Sequence, residues 1–256
     1  MMARLHCRAS MEPCLLALDT STETMALALS TPAGVRLLDE AGGAAASARI
    51  VPAALQLLAD AGITLQQLDA IAFGAGPGAF TGLRTACAVA QGLAFGAGKP
   101  VLPLDSLMLV ADDALAQEPG AADPSRLHWV AVDARMDEVY AAAYRHSDAG
   151  WSVVRPPALY TLPALIAGWT EAPPRRVAGN ALTVFADRLA PVLAQAETRV
   201  PQLRSRSAAL ARLAAQAWQR GEAIDAAAAL PLYLRDKVAL TTSERLAQKA
   251  AAGAAR

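Results

Sequence analysis

Two segments of this chain repeat one arrangement, and the repeat constrains the fold more than any single motif. The apolar stretch Leu15-Leu16-Ala17-Leu18 ends at Asp19, passes the five residues Thr20 to Thr24, and re-enters an apolar run at Met25. Trp129-Val130-Ala131-Val132 ends at Asp133, passes the five residues Ala134 to Glu138, and re-enters an apolar run from Val139 to Tyr144. Short apolar runs broken by a polar bend read as paired strands. Strand and helix patterns alternate after each unit, so duplication explains the pair better than coincidence. The pattern predicts an α/β chain of two like lobes facing each other across a cleft.

Between the two units, Phe73 to Arg84 reads F-G-A-G-P-G-A-F-T-G-L-R. Gly74, Gly76, Gly78 and Gly82, with Pro77 among them, give a backbone able to lie close against another surface. Ala70 to Phe73 reads as a short buried strand, and Thr81 is placed to cap the helix that follows. A strand, a glycine loop and a helix start in this order can hold an anion at the helix amides or pack against a neighbouring backbone. On physics alone a tight structural turn has as good a claim as a ligand loop. No Gly-Lys-Ser/Thr follows and G-x-G-x-x-G is not matched, so neither a P-loop nor a dinucleotide fingerprint is present.

Asp19 with Thr20, Ser21 and Thr22 is the other constellation that could carry chemistry. A carboxylate at a strand end followed by hydroxyls can hold a metal–phosphate group. The same residues also make an ordinary Asx turn, in which Asp19 accepts from its own backbone, and that reading is favoured. His6, His128 and His146 show no metal-ligand spacing, and H-E-x-x-H, C-x-x-C and G-x-S-x-G are all absent. The sequence carries no pattern for metal-dependent or seryl hydrolysis.

Charge bears on partners. Lysine plus arginine equals aspartate plus glutamate at 23 each, which argues against a chain that grips nucleic acid alone. Three cysteines, Cys7, Cys14 and Cys87, form no disulfide framework and suit a reducing cytoplasm. No apolar run has the length of a membrane span. Met11 stands four residues before the first strand, so residues 1–10 are expected to be disordered or a misannotated extension.

The division expected along the chain is a first lobe over 11–105, a second over 106–238 and a flexible Ala-rich tail over 239–256. Ala48 to Ala61 has the broad apolar face of a helix, and the helix after the glycine loop carries Ala86, Ala90 and Ala94 at i, i+4 and i+8. Small residues at that spacing let another element approach closely. Packing on the chain's own sheet is the commoner use, and a partner helix is the other. In the second lobe Thr161 and Ser207 read as helix caps, and Leu210, Leu213, Ala214 and Ala217 as an inward face.

D-T-S-T at Asp19 to Thr22, the glycine loop, V-D-A-R-M-D-E-V-Y at Val132 to Tyr140 and the terminal Y-L-R at Tyr233 to Arg235 together resemble the TsaB (YeaZ) family. The resemblance covers Leu15 to Val238 and implies a two-lobed, duplicated actin-like, sugar-kinase-like, Hsp70-like ATPase fold, ribonuclease H-like in its sheets. It implies a non-catalytic subunit that pairs with TsaD and recruits the ATPase TsaE. That assembly transfers a threonylcarbamoyl group to N6 of the adenosine beside the anticodon, in tRNAs reading codons that begin with A. It further implies contact with tRNA through the complex, with direct contact by this chain left open, a homodimer as one option when alone, no intrinsic cofactor, and weak or partner-shared ATP or ADP as an open option.

On that resemblance Ile50, Val51, Ala54, Leu58, Ala86, Ala90 and Ala94 are the expected docking surface. Asp19, Thr20, Ser21, Gly74, Gly76, Pro77, Gly78, Phe80, Thr81, Gly82 and Arg84 are the expected nucleotide or partner contacts. Arg84 would pair with a carboxylate or phosphate. Two departures stand out. Ala44-Ala45-Ala46-Ser47 replaces the segment where many relatives carry a histidine, and Asp133 lacks the glycine and threonine of a second phosphate loop. A small-molecule kinase of the same fold, with Asp19 or Asp133 holding the metal, is the alternative. A peptidase, the activity once attached to the wider family, ranks last.

Overall fold

The computed structural model describes residues 12–118 and 125–235. The expectations for residues 1–10 and for the 239–256 tail lie outside the described residues. Two five-stranded sheets are built the same way. In the first, β1 (Leu15–Asp19), β2 (Thr24–Thr31) and β3 (Gly34–Ala41) form an antiparallel meander. After helix α1 (Ala46–Asp60), β4 (Ala70–Gly76) adds parallel to β1; after α2 (Phe80–Ala97), β5 (Val101–Asp105) adds parallel to β4. The order is β3-β2-β1-β4-β5.

Helix α3 (Ser106–Gln117) leads to the second meander, β6 (His128–Asp133), β7 (Glu138–Ser147) and β8 (Gly150–Thr161). Helix α4 (Leu162–Glu171), β9 (Arg176–Ala178), the short helices α5 (Ala181–Val184) and α6 (Ala186–Leu189), and β10 (Thr198–Val200) follow. This sheet is ordered β10-β9-β6-β7-β8, so β6 to β10 repeat the positions of β1 to β5. The predicted duplication is the architecture of the molecule. The last helix, α7 (Arg206–Gln219), belongs to the layer between the sheets.

Strand alternation makes each sheet face two ways. One face of the first sheet, with Leu16, Leu18, Leu27, Ile71 and Phe73, packs under α1 and α2. Its other face, Leu15, Ala17, Ala26, Ala28 and Ala72, lies against α3 and α7, which also cover Val130, Ala142 and Tyr144 of the second sheet. The remaining face of the second sheet, through Val139, Ala141 and Val177, packs on Leu162, Leu165 and Trp169 of α4. The result is helix, sheet, helix, sheet, helix, with α3 and α7 shared by both lobes. The expected second lobe over 106–238 therefore hands α7 and the segment after it back to the first sheet. Ile224 bridges to Val101, and the Ala226 and Ala229 side chains join the core under α2.

The middle layer is pinned by buried acids. Asp105 caps α3 at Leu107 N (2.9 Å) and accepts from Tyr144 Oη at 2.7 Å, and burial raises its pKa. Asp112 accepts from Trp151 Nε1 at 3.0 Å and Arg212 Nε at 2.7 Å, tying α3 to β8 and α7. Two capping expectations change. Helix α2 starts at Phe80 with Ala79 at its N-cap, and α7 is capped by Ser205, whose hydroxyl accepts from Ala208 N at 3.2 Å. Thr81 and Ser207 each sit inside a first turn, where a hydroxyl no longer reaches the amides it would cap.

Candidate functional site

The glycine loop and the β1–β2 bend form one unit. Asp19 Oδ1 accepts from Ser21 N at 3.0 Å and Ser21 Oγ at 2.9 Å, so the bend is an Asx turn. Ala79 N donates to Ser21 O at 2.8 Å, and Thr20 Oγ1 donates to Gly82 O at 2.7 Å. A Cβ at Gly82 would stand 1.8 Å from Thr20 O, and one at Gly74 1.6 Å from Asp19 Oδ2. Glycine is required at both places because backbone and carboxylate occupy the side-chain volume. The loop's partner is a backbone of its own lobe.

Asp19, Thr20 and Ser21 are all buried, and Asp19 does not line the interlobe cleft. Its charge is met from below. Arg206 Nε donates to Asp19 Oδ1 at 2.8 Å, and Arg206 Nη2 donates to Ser21 Oγ at 2.8 Å. Ser106 Oγ donates to Asp19 Oδ2 at 3.3 Å and accepts from Gly76 N at 3.1 Å. One buried ion pair thus gathers β1, the glycine loop, α3 and α7. The start of α7 is occupied as well, since Asp39 of β3 accepts from Ser207 N at 3.0 Å and Ser207 Oγ at 2.7 Å. A carboxylate at a helix N-terminus is favourable, and here the chain supplies its own.

Asp133 repeats the Asx turn, accepting from Arg135 N at 2.8 Å, while its own amide donates to Asn180 Oδ1 at 2.9 Å. The bend that follows is strained: Arg135, Met136 and Asp137 have φ of 65°, 56° and 61°. Left-handed backbone costs a side-chain-bearing residue about 1–2 kcal/mol. The turn is held by Glu138 N donating to Arg135 O at 3.1 Å and by the Asp137–Arg188 ion pair, which lowers the Asp137 pKa.

A cleft of about 650 Å³ opens between the lobes. Ser21 to Thr24, Pro77 to Phe80, Asp39 and Arg206 line one side, and Val132 to Arg135, Tyr140 and Asn180 the other. Tyr233 and Arg235 line it as well. Arg84 stacks over the Phe80 ring at 3.9 Å and donates through Nε to Tyr233 Oη at 3.0 Å, with the two rings 5.2 Å apart. Arg84, expected to meet a carboxylate or phosphate, is here held in this aromatic clasp. Among the described residues, no three or more His, Cys, Asp or Glu side chains gather in a metal-holding group. No helix of the described chain is long and apolar enough to cross a membrane.

The expected docking residues are placed differently from the prediction. Ile50, Ala54, Leu58, Ala86, Ala90 and Ala94 are buried in the first lobe's own core, and Val51 is half-buried at its edge. Their spacing serves the close approach of α1 and α2 to the sheet. The outward apolar residues on these helices are Leu55, 46% exposed, and Phe95, 61% exposed. Sequence reasoning missed Arg206, Asp39 and Ser106. A buried arginine at the polar start of an amphipathic helix reads as solvated, and only the distant Asp19 gives it a partner.

Two duplicated meanders with crossover helices, closed around a shared helical layer, define the class: the two-lobed α/β fold of the actin, sugar-kinase and Hsp70 type. The family model described as "TsaD: tRNA N6-adenosine threonylcarbamoyltransferase" matches residues 40–242. TsaB of Haemophilus influenzae is 44% identical over 126 residues, 49% of this chain and 51% of that protein. TsaB of Escherichia coli is 38% identical over 136 residues, 53% of this chain and 57% of that protein. The chain thus spans about half the length of the curated relatives it matches. The solved structure of YeaZ from Pseudomonas aeruginosa is 33% identical with a TM-score of 0.69, covering 87% of this chain and all of that one. A second Pseudomonas aeruginosa structure, titled as an uncharacterized protein with similarity to peptidase YEAZ, is 35% identical with a TM-score of 0.73. The chain belongs to the TsaB (YeaZ) family.

Proposed function

We propose that this chain is a non-catalytic scaffold and activator subunit in the biosynthesis of tRNA threonylcarbamoyladenosine. It pairs with TsaD, the pair recruits TsaE, and tRNA is met through the complex in the cytoplasm. The names of its TsaB relatives support the pathway. The observation that carries the non-catalytic reading is the Asp19–Arg206 pair. A kinase of this fold needs a carboxylate at the cleft for its metal, and here Asp19 is sealed beneath the glycine loop by an arginine. Asp133, the alternative, spends one oxygen on its own Asx turn and has the Arg135 guanidinium 3.5 Å from the other. Nucleotide, where it binds, is held weakly or shared with TsaD.

The docking surface follows the exposure found on α1 and α2. Leu55 and Phe95 replace the buried alanines as the residues that meet TsaD, or a second copy when the chain is alone. The deciding experiment is reconstitution of tRNA threonylcarbamoylation from TsaD, TsaE and the donor-forming enzyme, with and without this chain. Modification should require the chain, which alone should turn over no ATP; full modification without it ends the scaffold reading. Leu55→Arg with Phe95→Glu should weaken capture of TsaD at least tenfold. Because both side chains are exposed, thermal stability should hold within about 0.5 kcal/mol.

A further inference from the structure

The segment after α7 crosses from one lobe to the other, and its contacts concentrate at two places. On the first lobe, Leu232 N donates to Ala75 O at 2.7 Å, beside the glycine loop, and Tyr233 closes the clasp with Phe80 and Arg84. Two residues on, Arg235 enters the second lobe. It pairs with Glu138, reaches Arg135 O at 3.4 Å, and sets Nη1 3.8 Å from Met136 Sδ. These are the residues of the left-handed turn and the residue that closes it. Arg235 and Glu138 are 17% and 27% exposed, so solvent only partly screens their pair.

We propose that Leu230–Arg235 is a strap that couples the glycine loop of the first lobe to the strained turn of the second. Movement of the loop is thereby felt at Arg135 to Asp137, and movement of the turn is felt at the loop. Three features make the coupling mechanical. The strap is anchored at both ends by polar contacts, a single residue, Leu234, separates Tyr233 from Arg235, and the turn's backbone is held by its surroundings against its own preference. Met136, 60% exposed on the turn itself, is the side chain whose presentation the strap would control.

Hydrogen exchange resolved by amide on the full chain tests this, because each end carries a reporter. Leu232 N–H is bonded to the first lobe, and Glu138 N–H closes the strained turn. Cutting the far anchor should release the near reporter. Arg235→Ala should speed exchange at Leu232, and Arg84→Ala or Tyr233→Leu should speed exchange at Glu138, each by about fivefold, with Leu16 and Leu27 unchanged. Exchanging the charges, Glu138→Arg with Arg235→Glu, should restore protection at Leu232. If each substitution affects only its own end, or if Leu16 and Leu27 accelerate equally, the strap transmits nothing and the proposal falls.

Discussion

Removing Arg206 should cost more stability than removing any exposed arginine of the chain. Its side chain is 6% exposed, and that of Asp19 is fully buried. Arg206→Met preserves most of the apolar stem but deletes the donors to Asp19, Ser21 and the Ser106 carbonyl. Asp19 keeps its bonds from Ser21 and Ser106, yet its charge is left in the interior with no counter-ion. Breaking one side of a buried pair costs about 3–5 kcal/mol, which for a chain of this size lowers Tm by about 6–20 °C. Asp19→Asn should cost a similar amount by stranding the guanidinium. The double variant, with no buried charge, should return to within about 2 kcal/mol of wild type. Urea unfolding of all four proteins supplies the cycle, with unchanged m-values required for the comparison. If the two single costs simply add in the double variant, or if Arg206→Met costs under about 1 kcal/mol, the pair is not the keystone described.

Two further expectations concern stability. His128 is buried beside Trp151, its Nε2 has no hydrogen-bond partner, and its pKa is lowered to about 4 by burial first, then by Arg176, His146 and Arg126. The unfolded chain therefore takes up this proton more readily, so stability is lost as pH falls from about 6.5 through 4, by up to about 3 kcal/mol. His128→Leu should flatten that part of the pH profile in urea titrations; a parallel profile would show that His128 is not its source. Gly82→Ala should destabilise by about 3 kcal/mol or more, because the new methyl meets Thr20 O at 1.8 Å. Gly92→Ala, with open space around the methyl, should gain up to about 1 kcal/mol; equal thermal shifts for the two would refute the close-approach argument.

The lobes, their repeat and most helices were legible because they rest on local patterns. Asp19 and Asp133 end strands at matching positions, and Leu210, Leu213, Ala214 and Ala217 do face inward on α7. The use made of those elements was not legible. The Ala86, Ala90 and Ala94 stripe looks the same whether a sheet or a partner helix covers it. Asp19 and Arg206 are 187 residues apart, and no short-range spacing announces a pair at that distance. Tyr233 and Arg235 stood out as part of a motif, but their roles depend on which lobe each reaches.

The shared middle layer has a consequence for synthesis on the ribosome. All five strands of the first sheet have been made by Asp105, yet one of the two helices covering its Leu15, Ala17, Ala26 and Ala28 face begins only at Arg206. At about 5–20 residues per second, that face waits roughly 5–20 s for its cover. The amino-terminal half is therefore the aggregation-prone half of the nascent chain, although in the finished protein it is among the most deeply packed. Chains stalled before α7 should be caught by holding chaperones, and release past Gln219 should free them.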